Sequence, residues 1–100
     1  MTLRETQNEF TKVVALLILF AYQKGYMLSF GDAWARDGHK INSLHYSRCA
    51  IDLNLFKDGK FLDKTEDHEE LGKLWESLNP KCRWGGHFLN KDGGHYEMVP

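Results

Sequence analysis

The chain predicts a single small α+β domain spanning residues 1–100, and three observations carry that expectation. Apolar residues recur at helical spacing in two segments, one near each end of the chain. A segment between them alternates apolar and polar residues and runs into an Asp-Gly turn, which marks a strand leading into a hairpin. One hundred residues can bury one core but leave little for a second.

Glu5 to Lys24 reads as the first helix. Phe10, Val13, Val14, Leu17, Phe20 and Ala21 form its stripe, and Gly25 stands where a helix commonly stops. Leu16, Ile18 and Leu19 widen the apolar face, so this helix is expected to be well buried. Tyr26 to Trp34 reads as a strand, and the polar stretch Ala35 to Leu44 as a loop. Cys49 to Phe56 places Ile51, Leu53 and Leu55 on one face of a strand, with Asp52 and Asn54 on the other. Lys57-Asp58-Gly59-Lys60 turns the chain back through Phe61-Leu62. A second helix is expected from Thr65, capped by that residue. Glu66, Asp67, Glu69 and Glu70 lie in its first turn, where carboxylates complement the helix dipole. Leu71, Leu74, Trp75 and Leu78 form its buried stripe, and Asn79-Pro80 ends it. Two further strands, Cys82 to Trp84 and His95 to Val99, flank the glycine-rich loop Gly85 to Gly94.

Composition narrows the function classes. A net charge of −1 argues against broad attraction to nucleic acid or anionic membrane. The longest apolar run, Val13 to Tyr22, is about half the roughly 20 residues a spanning helix needs. It also lacks the flanks of a signal peptide, so no export address and no membrane insertion are expected. Cys49 and Cys82 are not in a Cys-x-x-Cys pair and are expected as free, buried thiols rather than zinc ligands.

The polar residues that carry chemistry fall in two segments, Ser43 to Leu53 and Asp92 to Glu97. His45, Asp52 and His95 supply two imidazoles and a carboxylate, the three protein ligands that a catalytic zinc takes while leaving a position for water. Alone, Asp52 reads as a solvent-facing sheet residue; His45, seven residues earlier in a turn, gives it a partner. His95 follows Gly93-Gly94 and opens a strand. Asp92 is the candidate general base, although Asp-Gly-Gly is also good turn chemistry. Arg36 is a candidate oxyanion or carboxylate binder, and Ser43 a residue that fixes the loop carrying His45. His39, His68 and His87 compete as ligands. Of these, His68 is expected at the surface, and His87 is the strongest competitor because it shares the loop that delivers Asp92.

The pattern Ser43-x-His45, six residues, Asp52, then Trp84-Gly85-Gly86 and Asp92-x-x-His95-Tyr96-Glu97 resembles the zinc peptidases that cleave bacterial cell-wall peptides. That family includes D-alanyl-D-alanine carboxypeptidases and dipeptidases and the L-alanyl-D-glutamate endopeptidases of phage endolysins. The resemblance spans roughly Ser29 to Met98 and is strongest to the endolysin branch. It implies a Hedgehog/DD-peptidase-like fold, with helices on a mainly antiparallel sheet and zinc at the sheet edge. It implies His45, Asp52 and His95 as zinc ligands, Asp92 as the acid/base where many members carry Glu, and Arg36 as a match to a substrate-orienting arginine. Arg48 stands where a glycine is common, and the chain is shorter than most members.

The expected activity is hydrolysis of peptidoglycan stem peptides at an L-alanyl-D-glutamate bond. D-Ala-D-Ala carboxypeptidase or dipeptidase activity is the alternative within the family, and a non-catalytic, zinc-stabilised wall-binding domain the alternative outside it. The expected setting is a monomeric phage protein made in the host cytoplasm and acting on the wall after release, or carried on the virion.

Overall fold

The first helix begins where Thr2 can close a capping box. Thr2 Oγ1 accepts the Glu5 amide at 3.2 Å, while a Glu5 carboxylate oxygen accepts the Thr2 amide at 2.9 Å. In the computed structural model, which describes all 100 residues, this helix (α1) runs Leu3–Gln23. The chain leaves it at Gly25, whose φ of +89° is open to glycine without strain. Phe10, Val13, Val14, Leu17 and Ala21 are buried, as the periodicity predicts. The wider apolar face does not follow: Leu16 and Leu19 are 46 % and 57 % exposed. A helix that packs on one side only needs a stripe, and residues outside that stripe face solvent.

Five strands form one sheet. They are β1 (Met27–Phe30), β2 (Ala50–Lys57), β3 (Lys60–Leu62), β4 (Cys82–Trp84) and β5 (His95–Met98). The order is β1-β2-β5-β4, with β3 also paired to β2, and every pairing is antiparallel. The expected β2–β3 hairpin is present, and Asp58 and Gly59 both take positive φ at its turn, as a two-residue hairpin loop requires. β1 is shorter than the expected Tyr26–Trp34, ending at Phe30 just before Gly31. The backbone from there still follows β2: the Gly31 amide donates to Asp52 O and the Asp52 amide donates to Asp32 O, each at 2.8 Å.

The second helix also starts later than expected. Thr65–His68 is a 3₁₀ turn, and α2 runs Glu69–Leu78. Thr65 does not cap it. The Asp67 carboxylate accepts the Lys64 amide at 3.1 Å and closes the start of the 3₁₀ turn, while α2 itself has no side-chain cap. Helices and sheet enclose one core in which Trp75, Tyr96, Leu17, Leu55, Leu71 and Met98 are fully buried. Cys49 and Cys82 are buried and free, as expected. Alternation along β2 and β5 sends Ile51, Leu53, Tyr96 and Met98 into this core, leaving Asp52, His95 and Glu97 on the opposite face.

Candidate metal centre

Register places the first two candidate ligands. Asp52 and His95 are direct partners across the β2–β5 ladder, and His95 Nδ1 lies 3.2 Å from Asp52 Oδ1. The third arrives on the turn before β2. There the Ser43 hydroxyl accepts the His45 amide at 3.2 Å, the loop-fixing part expected of it. His45 Nε2 then lies 3.3 Å from the same Asp52 oxygen. Arg48 completes this turn with φ of +58°, the left-handed region where glycine is favoured. Its guanidinium lies 4.9 Å from the centre of the Trp34 ring.

The donor set fits a zinc ion. Zinc bonds of about 2.0–2.1 Å to nitrogen and oxygen in a tetrahedron place ligand atoms roughly 3.3 Å apart. That matches the separations of 3.3 and 3.2 Å around Asp52 Oδ1. Burial lowers the pKa of His45, and the neighbouring His95 and His39 add to this against the pull of Asp52, which favours the neutral form a ligand needs. At Asp52 burial acts upward, but the hydrogen bond with His95 and the nearby imidazoles hold the carboxyl below its usual range.

Behind His95 stands a pair that sequence reasoning left unassigned. His95 Nε2 meets Glu97 Oε1 at 2.7 Å, and Glu97 Oε2 accepts from both Nε and Nη2 of Arg83. A ligating histidine is normally held through its other nitrogen by a carboxylate, and Glu97 stands where such a partner of His95 would. Burial of His95 opposes its charged form, but the bonds to Asp52 and Glu97 outweigh it and raise the pKa to about 9. The hint in the sequence was the alternation His95-Tyr96-Glu97, which puts His95 and Glu97 on one face.

His45 is held differently. Its Nδ1 is buried without a partner, and its ring lies between His39, stacked at 4.3 Å, and the edge of His95 at 5.1 Å. His39 is itself fixed, by Asp32 Oδ2 at 2.9 Å and by two bonds between its backbone and the Tyr46 hydroxyl. A ligand-capable nitrogen of His39 lies within 4.8 Å of those of His45 and Asp52. Two rings inclined by only 25° direct their lone pairs along nearly parallel planes, so they do not converge on one ion. His39 supports His45 rather than joining it as a ligand.

Asp92 lies at the exposed lip, with an oxygen within 4.8 Å of the ligand atoms of Asp52 and His95. Its loop is built by Trp84-Gly85-Gly86. The Asp92 amide donates to Gly85 O at 3.0 Å, and a Cβ on Gly85 would meet Asp92 O at 2.2 Å. Trp84 is buried and donates its indole N–H to Gly93 O at 2.7 Å. It anchors the loop and does not line the cavity beside the cluster.

That cavity, about 540 Å³, is lined by His45, Asp52, Asp92 and His95 together with Arg83, Lys40 and Lys91. Arg36 is exposed and not among the lining residues; the arginine present there is Arg83. His87 also lies outside it, paired with Glu76 at 3.0 Å. His68 is not a surface residue: it is 4 % exposed, with Nδ1 2.9 Å from the Tyr96 hydroxyl. The 3₁₀ turn points its side chain inward, which an acidic first turn does not reveal.

A family model described as D-alanyl-D-alanine carboxypeptidase matches residues 36–98, a span holding His45, Asp52, His95, Asp92 and Glu97. Among solved structures, the L-Ala D-Glu endopeptidase ChiX of Serratia marcescens superposes with a TM-score of 0.64 at 15 % identity, over 83 % of this chain and 75 % of that one. No curated protein sequence matches the chain. At that identity the structural likeness shows a shared fold, and the family match over more than half the chain shows descent. The chain belongs to the D-alanyl-D-alanine carboxypeptidase family of peptidases.

Proposed function

We propose that this protein is a zinc-dependent peptidase that hydrolyses peptidoglycan stem peptides at the L-alanyl-D-glutamate bond. The observation that carries the reading is the convergence of His45, His95 and Asp52 on one carboxylate oxygen, with Asp92 beside them at the lip of an open cavity. His45, Asp52 and His95 would hold the ion. When bound, zinc supplies a Lewis acid that polarises the scissile carbonyl and makes water more acidic. Asp92 accepts a proton from the attacking water and returns it to the leaving amine. Glu97 holds the His95 ring in place throughout. The similarity in fold to an L-Ala D-Glu endopeptidase supports the choice of bond.

The second reading is a D-Ala-D-Ala carboxypeptidase, favoured by the description of the family model. Digesting purified muropeptides and identifying the new termini by mass spectrometry separates the two. The first reading expects a new D-glutamyl amino terminus, and release of free D-alanine would replace it with the second. Zinc bound in stoichiometric amount with no turnover would favour a non-catalytic wall-binding domain. The endolysin setting belongs to the same proposal: no helix is long and apolar enough to cross a membrane, and lysis of permeabilised bacteria by added protein tests it.

A further inference from the structure

Four polar residues form a row across the solvent face of the sheet. Asp52 on β2 faces His95 on β5, and two residues further along β5, Glu97 faces Arg83 on β4. The metal ligands stand at one end of the row and a guanidinium at the other. His95 and Glu97 lie roughly 7 Å apart along β5, about two residues of an extended peptide, and Arg83 stands on the neighbouring strand beside Glu97.

The charges along the row are unevenly committed. Asp52 faces the two histidines, and Glu97 is shared between His95 and Arg83. Arg83 uses Nε and Nη2 on Glu97, while its side chain is 56 % exposed and lines the cavity, and no hydrogen bond within the chain occupies Nη1. Lys40 and Lys91 line the same cavity and are exposed. A planar guanidinium already oriented by one carboxylate is suited to receive a second through its free edge.

We propose that Arg83, in a cavity also lined by Lys40 and Lys91, binds a free carboxylate on the residue just beyond the cleaved bond. This rests on the peptidase reading above and specifies its substrate. A stem-peptide glutamate linked onward through its side chain keeps its α-carboxylate at that place, and amidation removes the charge. The chain would therefore discriminate between carboxylate and amide forms of the same peptide.

The test uses two synthetic stem peptides that differ only in that group, with the zinc-loaded protein and its Arg83→Gln and Arg83→Lys variants. The wild type is expected to cleave the acid with a KM about ten- to a hundred-fold below that of the amide, as for loss of a charged hydrogen bond. Arg83→Gln also loosens Glu97 and so affects both peptides. It should still raise KM for the acid at least about ten-fold more than for the amide, and Arg83→Lys should restore part of the preference. Equal loss on both peptides would show that Arg83 serves only to hold Glu97, and absence of preference in the wild type would also overturn the proposal. If neither peptide is cleaved, the peptidase reading fails separately. Calorimetric binding of the two peptides then decides for Arg83, with preference for the acid that Arg83→Gln abolishes supporting the proposal and equal binding refuting it.

Discussion

His45 and His95 approach one oxygen of Asp52 from different parts of the chain, a turn before β2 and the strand beside it, at 3.3 and 3.2 Å. The two histidines are supported in different ways. His95 has a carboxylate behind its far nitrogen, whereas His45 has only ring packing. Substitutions at the supporting residues therefore separate hydrogen-bonded from packed control of the site.

Replacing Glu97 with Gln removes the charge that faces both His95 and Arg83 while keeping the side-chain volume. Zinc affinity, measured by competition with a chelating dye, should fall about 10- to 100-fold, as for loss of such an outer partner. Unchanged affinity would mean that Glu97 is only a structural partner of Arg83.

His39→Ala opens the face of His45, whereas His39→Phe keeps a flat ring there and loses the bond to Asp32. The alanine variant should bind zinc about ten-fold more weakly, and the phenylalanine variant within a few-fold of wild type. The reverse order in the same dye competition would assign the role to the hydrogen bond instead of the stack.

Gly72 lies in α2 against Trp84, and a Cβ there would sit 2.1 Å from the indole ring. Gly72→Ala gains at most about 1 kcal/mol of helix propensity, less than the roughly 1–3 kcal/mol that overpacking costs. The clash prevails. The melting temperature should drop by several degrees, and because Trp84 anchors Gly93, activity should fall as well. A stabilised variant in a thermal melt would contradict this packing.

Burial pushes the Cys82 thiol up to about 12, helped by the charges of Glu9 and Glu76, and burial also raises Tyr96. Both groups resist ionising in the folded chain more than in the unfolded one. Their contribution is intact below about pH 9 and is lost as pH rises toward 12. From Cys82 alone, the unfolding constant should rise about ten-fold between pH 8 and pH 10. Urea midpoints of wild type and Cys82→Ala across that range measure the difference, and parallel curves would rule out the thiol as a source.

The residues of the cluster were legible because their spacing survives as a pattern: a histidine seven residues before a strand aspartate, and Asp92 three before His95. Arg83 and Glu97 were not singled out, because their pairing depends on which strands neighbour each other and in what register. His39 was only one competitor among three, since its stacking on His45 depends on the path of an irregular loop. The elements were read correctly in kind, and the departures lie at their ends. Gly31 shortens β1 and a 3₁₀ turn delays α2, both local backbone choices that hydrophobic periodicity does not encode.

The most direct test of the account is the Asp92→Ala variant, assayed for zinc content and muropeptide hydrolysis on the same sample. Asp92 stands beside the ligand cluster and outside the proposed coordination, so zinc should remain stoichiometric while hydrolysis falls at least 100-fold, within the roughly 10²–10⁴ of general acid–base catalysis. Hydrolysis that survives the substitution with zinc still bound would contradict the assignment of Asp92 and the mechanism built on it.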